Sequence, residues 1–169
     1  MLDQHGDFVD YASARWADLV RSAVFMGCSL HQAQDLAQST LLRCYLSWPK
    51  VVRADDRDAY VFKILVNCLR DSYRRPSSRE MPVAELPDHS VGDPTEHVDV
   101  ADSVHRALGS LSAANRDAVV LRHLVGLTEQ QTALALGVAV GTVKSRTARA
   151  LAQLLVDSHL SDFAEGGRP

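Results

Sequence analysis

Apolar residues recur at intervals of three and four along most of the chain, the period of helices that bury one face. Phe8, Ala12, Trp16, Leu19 and Ala23 form one stripe. A second runs through Ala33, Leu36, Ala37, Thr40, Leu41, Cys44, Tyr45 and Trp48, and a third through Tyr60, Ile64, Leu65, Cys68 and Leu69. Gly27 and Ser29 separate the first two, Pro49 is expected to stop the second, and the acids of Asp55–Asp58 suit the positive end of the third helix. Three or four helices without strands are predicted here. Further on, Val104, Leu108 and Leu111 form a short stripe. Ser112 is placed to cap the next helix, which continues through Ala118, Val119, Leu121 and Leu124 to a stop at Gly126.

The run that follows, LTEQQTALALGVAVGTVKSRTARALAQLL, carries its own boundaries. Thr128 with Gln131 three residues later is a capping box, and the helix it opens should end at Gly137. A turn of Gly137, Val138 and Ala139 then leads into a helix from about Val140, the helix-turn-helix plan. On that helix Lys144, Ser145, Ala148 and Arg149 share one face, while Val140, Val143, Leu151 and Leu155 fall largely on the other. Gly141 and Thr142 at its start are small enough to let the backbone approach DNA.

Between these patterns the period disappears. Residues 76–97 hold Pro76, Pro82, Pro87 and Pro94 among serines and aspartates and read as a linker, too long for a loop within a compact domain. The expected architecture is all-α. Two small helical domains, residues 1–75 and 98–160, are joined by a flexible acidic linker, with a short tail at 161–169.

Charge sharpens this division. The 169 residues carry a net charge of −3, which argues against a protein that coats nucleic acid by bulk electrostatics. Lys63, Arg70, Arg74 and Arg75 nevertheless face a single acid, Asp71, between Tyr60 and Arg75. Lys144, Arg146 and Arg149 face none between Val140 and Val156, and the linker between is acidic. Cys28, Cys44 and Cys68 are widely spaced and read as reduced core thiols. No spacing diagnostic of a metal site, a catalytic constellation or a cofactor is found, so none of these is expected. No membrane insertion and a cytoplasmic location are expected from the absence of a long apolar run or an N-terminal signal. By charge alone the last helix is as well explained by a solvated basic face as by a DNA reader.

The segment GTVKSRTARAL following LTEQQTALALGV resembles the DNA-binding domain, sigma domain 4, of extracytoplasmic-function sigma factors of the sigma-70 family. AQDLAQSTLLRCYLSW, Ala33 to Trp48, is similar to that family's polymerase-binding helix. DAYVFKILVNCLRDSYRR, Asp58 to Arg75, is similar to its promoter-melting helix in sigma domain 2. The resemblance covers about residues 7–157, and the arginine-rich composition is similar to that of actinobacterial members. It implies a non-enzymatic initiation factor whose partners are core RNA polymerase, through its clamp coiled coil and flap, promoter DNA, and an anti-sigma factor.

Residue by residue, the resemblance assigns Asp35, Leu36, Gln38, Leu42 and Arg43 to polymerase docking. It assigns Lys63, Asn67, Arg70, Asp71, Arg74 and Arg75 to the minus-ten element, with the loop Pro49–Arg57 reading a flipped base. Thr142, Lys144, Ser145, Ala148 and Arg149 are assigned to the minus-thirty-five element, and Arg116, Arg122 and Arg146 to phosphates. Arg146 has packing on the preceding helix as its alternative. Three positions depart from the family pattern: Ala139 stands where Ser or Pro is usual, Gln131 where Glu is, and Thr132 where Ile is. Two other readings stay open from the sequence: a helix-turn-helix regulator acting alone, and a polymerase-binding protein without promoter recognition.

Overall fold

The computed structural model describes residues 4–74 and 96–156, and all regular structure among them is helical. Most of the linker, Arg75 and the tail lie outside the described residues. Four helices make the first lobe: α1 (Gln4–Phe25), α2 (Leu30–Leu46), α3 (Trp48–Arg53) and α4 (Arg57–Arg74). Four more make the second: α5 (Glu96–Gly109), α6 (Ala113–Val119), α7 (Glu129–Leu136) and α8 (Val140–Val156), and α6 runs on into a π-helical turn over Val120–Leu124. No helix among the described residues is long and apolar enough to cross a membrane.

Local chemistry fixes the helix ends. Ser29 and Gln32 form a capping box at the start of α2, with Ser29 Oγ accepting from the Gln32 N–H at 3.2 Å and Gln32 Oε1 accepting from the Ser29 N–H at 3.0 Å. Ser112 caps α6, and Thr128 with Gln131 boxes the start of α7, as their spacing predicts. Gly137 closes α7 in the left-handed region at φ 67°, a conformation that costs glycine little. Ala139 adds no side-chain acceptor to α8; its carbonyl takes the N–H groups of Thr142 and Val143 at 3.0 and 3.2 Å.

Three expectations need correction. The second helix does stop just ahead of Pro49, at Leu46, but the expected loop Pro49–Arg57 is largely helical, because Pro49 sits in the first turn of α3, where its missing N–H has no partner to lose. The loop before α4 therefore shrinks to residues 54–56. Trp16 and Tyr45, placed in apolar stripes by period, are exposed at the edge of the first lobe, where Tyr45 lies 5.0 Å from Phe8, centroid to centroid. Leu151 and Leu155, expected on the buried back of α8, are also exposed, Leu155 at 83%. Val143, Ala150 and the partly buried Leu154 hold that helix down instead.

In the first lobe α2 packs on α1 and α4, and in the second α8 packs on α6 and α7. The lobes then meet, with α4 lying against α7, and their buried apolar residues form one continuous core. The shape of α4 explains why. Ala59, Val61, Phe62, Leu65, Val66, Cys68 and Leu69 are all buried, and at 3.6 residues per turn they cover roughly 180° of its circumference. Packing on α2 alone needs a narrower stripe, so the remainder is covered by α7. Cys28, Cys44 and Cys68 are free and buried, and burial pushes the Cys28 and Cys44 thiols up to about 11 and about 12.

Candidate nucleic-acid interface

Two basic helices and one mixed helix face carry the candidate chemistry. On α2, Asp35, Gln38, Leu42 and Arg43 are exposed, Leu42 at 58%, and Tyr45 and Leu46 extend the patch. Leu36 is the exception among the residues expected there. It is 6% exposed and lies in the core, because one residue of helix turns it about 100° from Asp35. Arg43 Nη2 reaches Asp71 of α4 at 3.0 Å and so ties this face to the neighbouring basic helix.

On α4, Asn67 and Arg74 are exposed and Lys63 is half-buried. Arg70 Nη2 donates to the carbonyl of Leu136 in the last turn of α7 at 2.9 Å. That carbonyl is one of the unpaired acceptors at a helix C-terminus, where the dipole also favours a cation. Below α4, Arg57 stacks over Trp48 and Tyr11, 5.7 Å from each ring centroid, and the Arg15 guanidinium holds both oxygens of Asp58 at 2.7 Å. Tyr11, Arg15, Arg57 and Asp58 line an open cleft of about 630 Å³ beside the residue 54–56 loop, and Gln131 of the other lobe also lines it. Burial, helped by Asp58, pushes the Tyr11 hydroxyl up to about 12, and it finds no hydrogen-bond partner there.

Asp56 in that loop does two things. Its Oδ1 accepts from the Ala59 N–H at 2.8 Å, capping α4, and its Oδ2 accepts from Gln131 Nε2. The Ala59 hydrogen bond and then that of Gln131 hold its carboxyl below the usual range.

On α8, Lys144, Ala148 and Arg149 are exposed, and Thr142 and Ser145 are half-buried beside them. The spacing of these residues had placed them on one face, and the helix brings them together. Lys144 Nζ lies 3.5 Å from Glu129 of α7, and the Ser145 hydroxyl donates to the Thr142 carbonyl at 3.1 Å. The three arginines assigned to phosphates sit apart from this face. Arg122 donates to the Leu127 carbonyl and braces the turn into α7. Arg116 and Arg146 are half-buried and lie around Asp117, together with Arg70. Burial outweighs those three arginines and pushes the Asp117 carboxyl up to about 6.

The acids of Asp55–Asp58 were expected at the start of α4, as Asp56 bears out, but sequence reasoning missed Asp117 and did not foresee that Gln131 would reach the other lobe. Two signals were present: an amide where the family pattern has a carboxylate, and an apolar arc on α4 too wide for one partner.

A capped helix, a glycine turn and a second helix with an exposed basic front, beside a helical lobe with an exposed mixed face on α2, define a helix-turn-helix protein of two lobes. Residues 101–154 match the family model described as sigma-70, region 4. The chain is 38% identical to an RNA polymerase sigma-E factor of Streptomyces avermitilis, over 89% of this chain and 86% of that protein. It is 40% identical to the sigma-E factor of Streptomyces antibioticus over 78% and 73%. Among solved structures it is similar to the sigma factor RpoE of Bartonella quintana in co-crystal with the anti-sigma factor NepR. The TM-score is 0.71 at 27% identity, covering 88% of this chain and 94% of that one. The chain belongs to the extracytoplasmic-function sigma factors of the sigma-70 family.

Proposed function

We propose that this chain binds core RNA polymerase and directs it to promoters carrying minus-ten and minus-thirty-five elements. The observation that carries the reading is the exposed front of α8, Lys144, Ala148 and Arg149, presented above a capped α7 and a glycine turn. Such a front can donate to guanine O6 and N7 or to phosphates from within a major groove. The exposed Asp35, Gln38 and Leu42 face of α2 supports docking on the clamp coiled coil, and the second lobe is left to meet the flap. Asn67, Arg70 and Arg74 serve the opened minus-ten strand, where cations track the backbone and an unstacked base needs a pocket such as the cleft beside the residue 54–56 loop.

An anti-sigma factor is a further partner in this reading, supported by the likeness to a sigma factor crystallised with one. A regulator acting alone has no use for the α2 face, and the likeness to sigma factors spans both lobes. Reconstitution with core polymerase, with transcripts mapped on genomic templates, tests the reading: specific starts are expected. Failure to bind core overturns it, and binding without initiation replaces it with a polymerase-binding protein that does not read promoters.

A further inference from the structure

We propose that Arg116 and Arg146, beside Asp117, form a binding site for a phosphoryl dianion, either inorganic phosphate or the terminal group of a small phosphomonoester. Arg116 and Asp117 belong to α6 and Arg146 to α8. The exposed Arg70 and Tyr73 of α4 and the turn Gly27–Cys28 complete the surroundings. The Arg116 guanidinium lies against Gly27, where φ is +101° and an added Cβ would stand 2.9 Å from it, so this close approach requires glycine.

This corner of the molecule holds more donors than the protein itself uses. Among the described residues neither Arg116 nor Arg146 makes an ion pair, although both are half-buried around a carboxyl. Arg116 Nε and Asp117 Oδ1 are buried with no hydrogen-bond partner. Buried polar groups in folded proteins are nearly always paired, and an unpaired set marks the place of an ion or a water. Charge favours an ion. Arg70, Arg116 and Arg146 bring three positive charges and Asp117 one negative, an excess of two. A half-buried guanidinium without an acceptor is costly, and a tetrahedral dianion offers several oxygens to the planar donor forks of two arginines at once.

Asp117 sets the pH at which the site fills. Burial pushes its carboxyl up to about 6 against the pull of Arg116, Arg70 and Arg146. Tyr73 and Cys28, the other titratable groups beside it, are both raised by burial and stay neutral in this range. Protonated, Asp117 donates to an anion oxygen; ionised, it repels the anion. Binding above pH 6 therefore takes up a proton. Duplex DNA is the poorer fit for these arginines. Arg146 follows Lys144 by two residues and is turned from it by about 200° around α8, away from the front formed by Lys144, Ala148 and Arg149. A duplex lying on that front does not reach Arg146, so the promoter reading of α8 is unchanged.

Thermal unfolding of the full chain tests the site, with inorganic phosphate, glycerol 3-phosphate or sulfate added and sodium chloride holding the ionic strength constant. An anion that binds only the folded chain stabilises it, so each should raise the midpoint, with half-saturation on the order of 1 mM at pH 7.5. Sulfate is a dianion at both pH 5.5 and pH 7.5 and so isolates Asp117. It should act at about tenfold lower concentration at pH 5.5. Asp117→Asn should abolish that difference and lower the half-saturation at pH 7.5 about tenfold, while Arg116→Gln combined with Arg146→Gln should remove the response. Phosphorus NMR of inorganic phosphate titrated with the unmodified chain should show the same binding, which keeps the proposal testable if the double variant folds poorly. A response that chloride matches, or that survives loss of both arginines, overturns the site. So does a parent chain without any anion response whose double variant binds duplex DNA more weakly, which would return both arginines to the DNA backbone.

Discussion

The helices α4 and α8 carry the same kind of signal, an apolar back and a run of cations with few acids, yet the fold treats them differently. On α4 the chain itself has taken up the polar groups: Arg70 is on a carbonyl of α7 and Asp71 is paired with Arg43. On α8 the front stays open, with Ala148 and Arg149 exposed and only Lys144 near an acid. A basic stripe therefore announces affinity for something negative without saying what supplies it. A helix C-terminus in the same molecule competes with a phosphate for the same guanidinium.

If the exposed faces are the ones that act, substitutions on α2 should have the largest effect. Leu42→Asp or Asp35→Lys is expected to weaken core polymerase binding by about 2–4 kcal/mol, the scale of a central contact residue, in a titration with the full chain. Unchanged affinity would remove α2 from the docking surface. On α8, Arg149→Ala should cost about 1–3 kcal/mol on promoters with the upstream element, with core binding intact. Equal losses on promoters lacking that element would show the assignment to be wrong. Arg70→Ala sharpens the contrast between the two helices. The Arg70 guanidinium is already engaged by the Leu136 carbonyl, so the loss in promoter binding should be smaller than that of Arg149→Ala.

What was legible in the sequence was whatever depends on neighbours a few residues away. The caps at Ser112 and Thr128, the left-handed turn at Gly137 and the shared face of Lys144, Ser145, Ala148 and Arg149 follow from local hydrogen bonding and helical period. Period says which residues align but not how wide a face is covered, so Leu155 and Trp16 were placed inside, while Leu36, which period put in the buried stripe, was set on the docking face by the resemblance alone. The docking of the lobes depended on contacts between residues 66 positions apart, such as Arg70 and Leu136, to which no local rule applies. Only the breadth of the apolar arc on α4 pointed there, and only in retrospect does Gln131 join it.

Asp117 offers a test of the junction that needs no DNA. Its carboxyl is pushed up to about 6, mainly by burial, from an ordinary value of 3.8 in the unfolded chain, so the folded state binds the proton more tightly. Stability should then be gained as pH falls through about 6 and be lowest, for this group, above it. Asp117→Asn removes the titration. At pH 7 the variant should be more stable than the parent by on the order of 1–2 kcal/mol, with the gap closing toward pH 4, as read by urea unfolding at both values. A gap that is constant with pH would mean that Arg70, Arg116 and Arg146 already neutralise the charge.

The smallest effect concerns Thr132, which stands where an apolar side chain is the family pattern. It is fully buried in α7, and its hydroxyl has no hydrogen-bond partner. Burying an unpaired hydroxyl costs free energy that a methyl group of nearly the same size does not. Thr132→Val keeps the branch at Cβ, so the side-chain entropy lost on folding hardly changes. The variant should be more stable by about 1 kcal/mol, seen as a higher urea midpoint with an unchanged slope. Thr132→Ile adds a further carbon to a filled site and should gain less. A loss on Thr132→Val would mean that the hydroxyl is hydrogen-bonded in solution, and that the polar character of α7 serves its own packing.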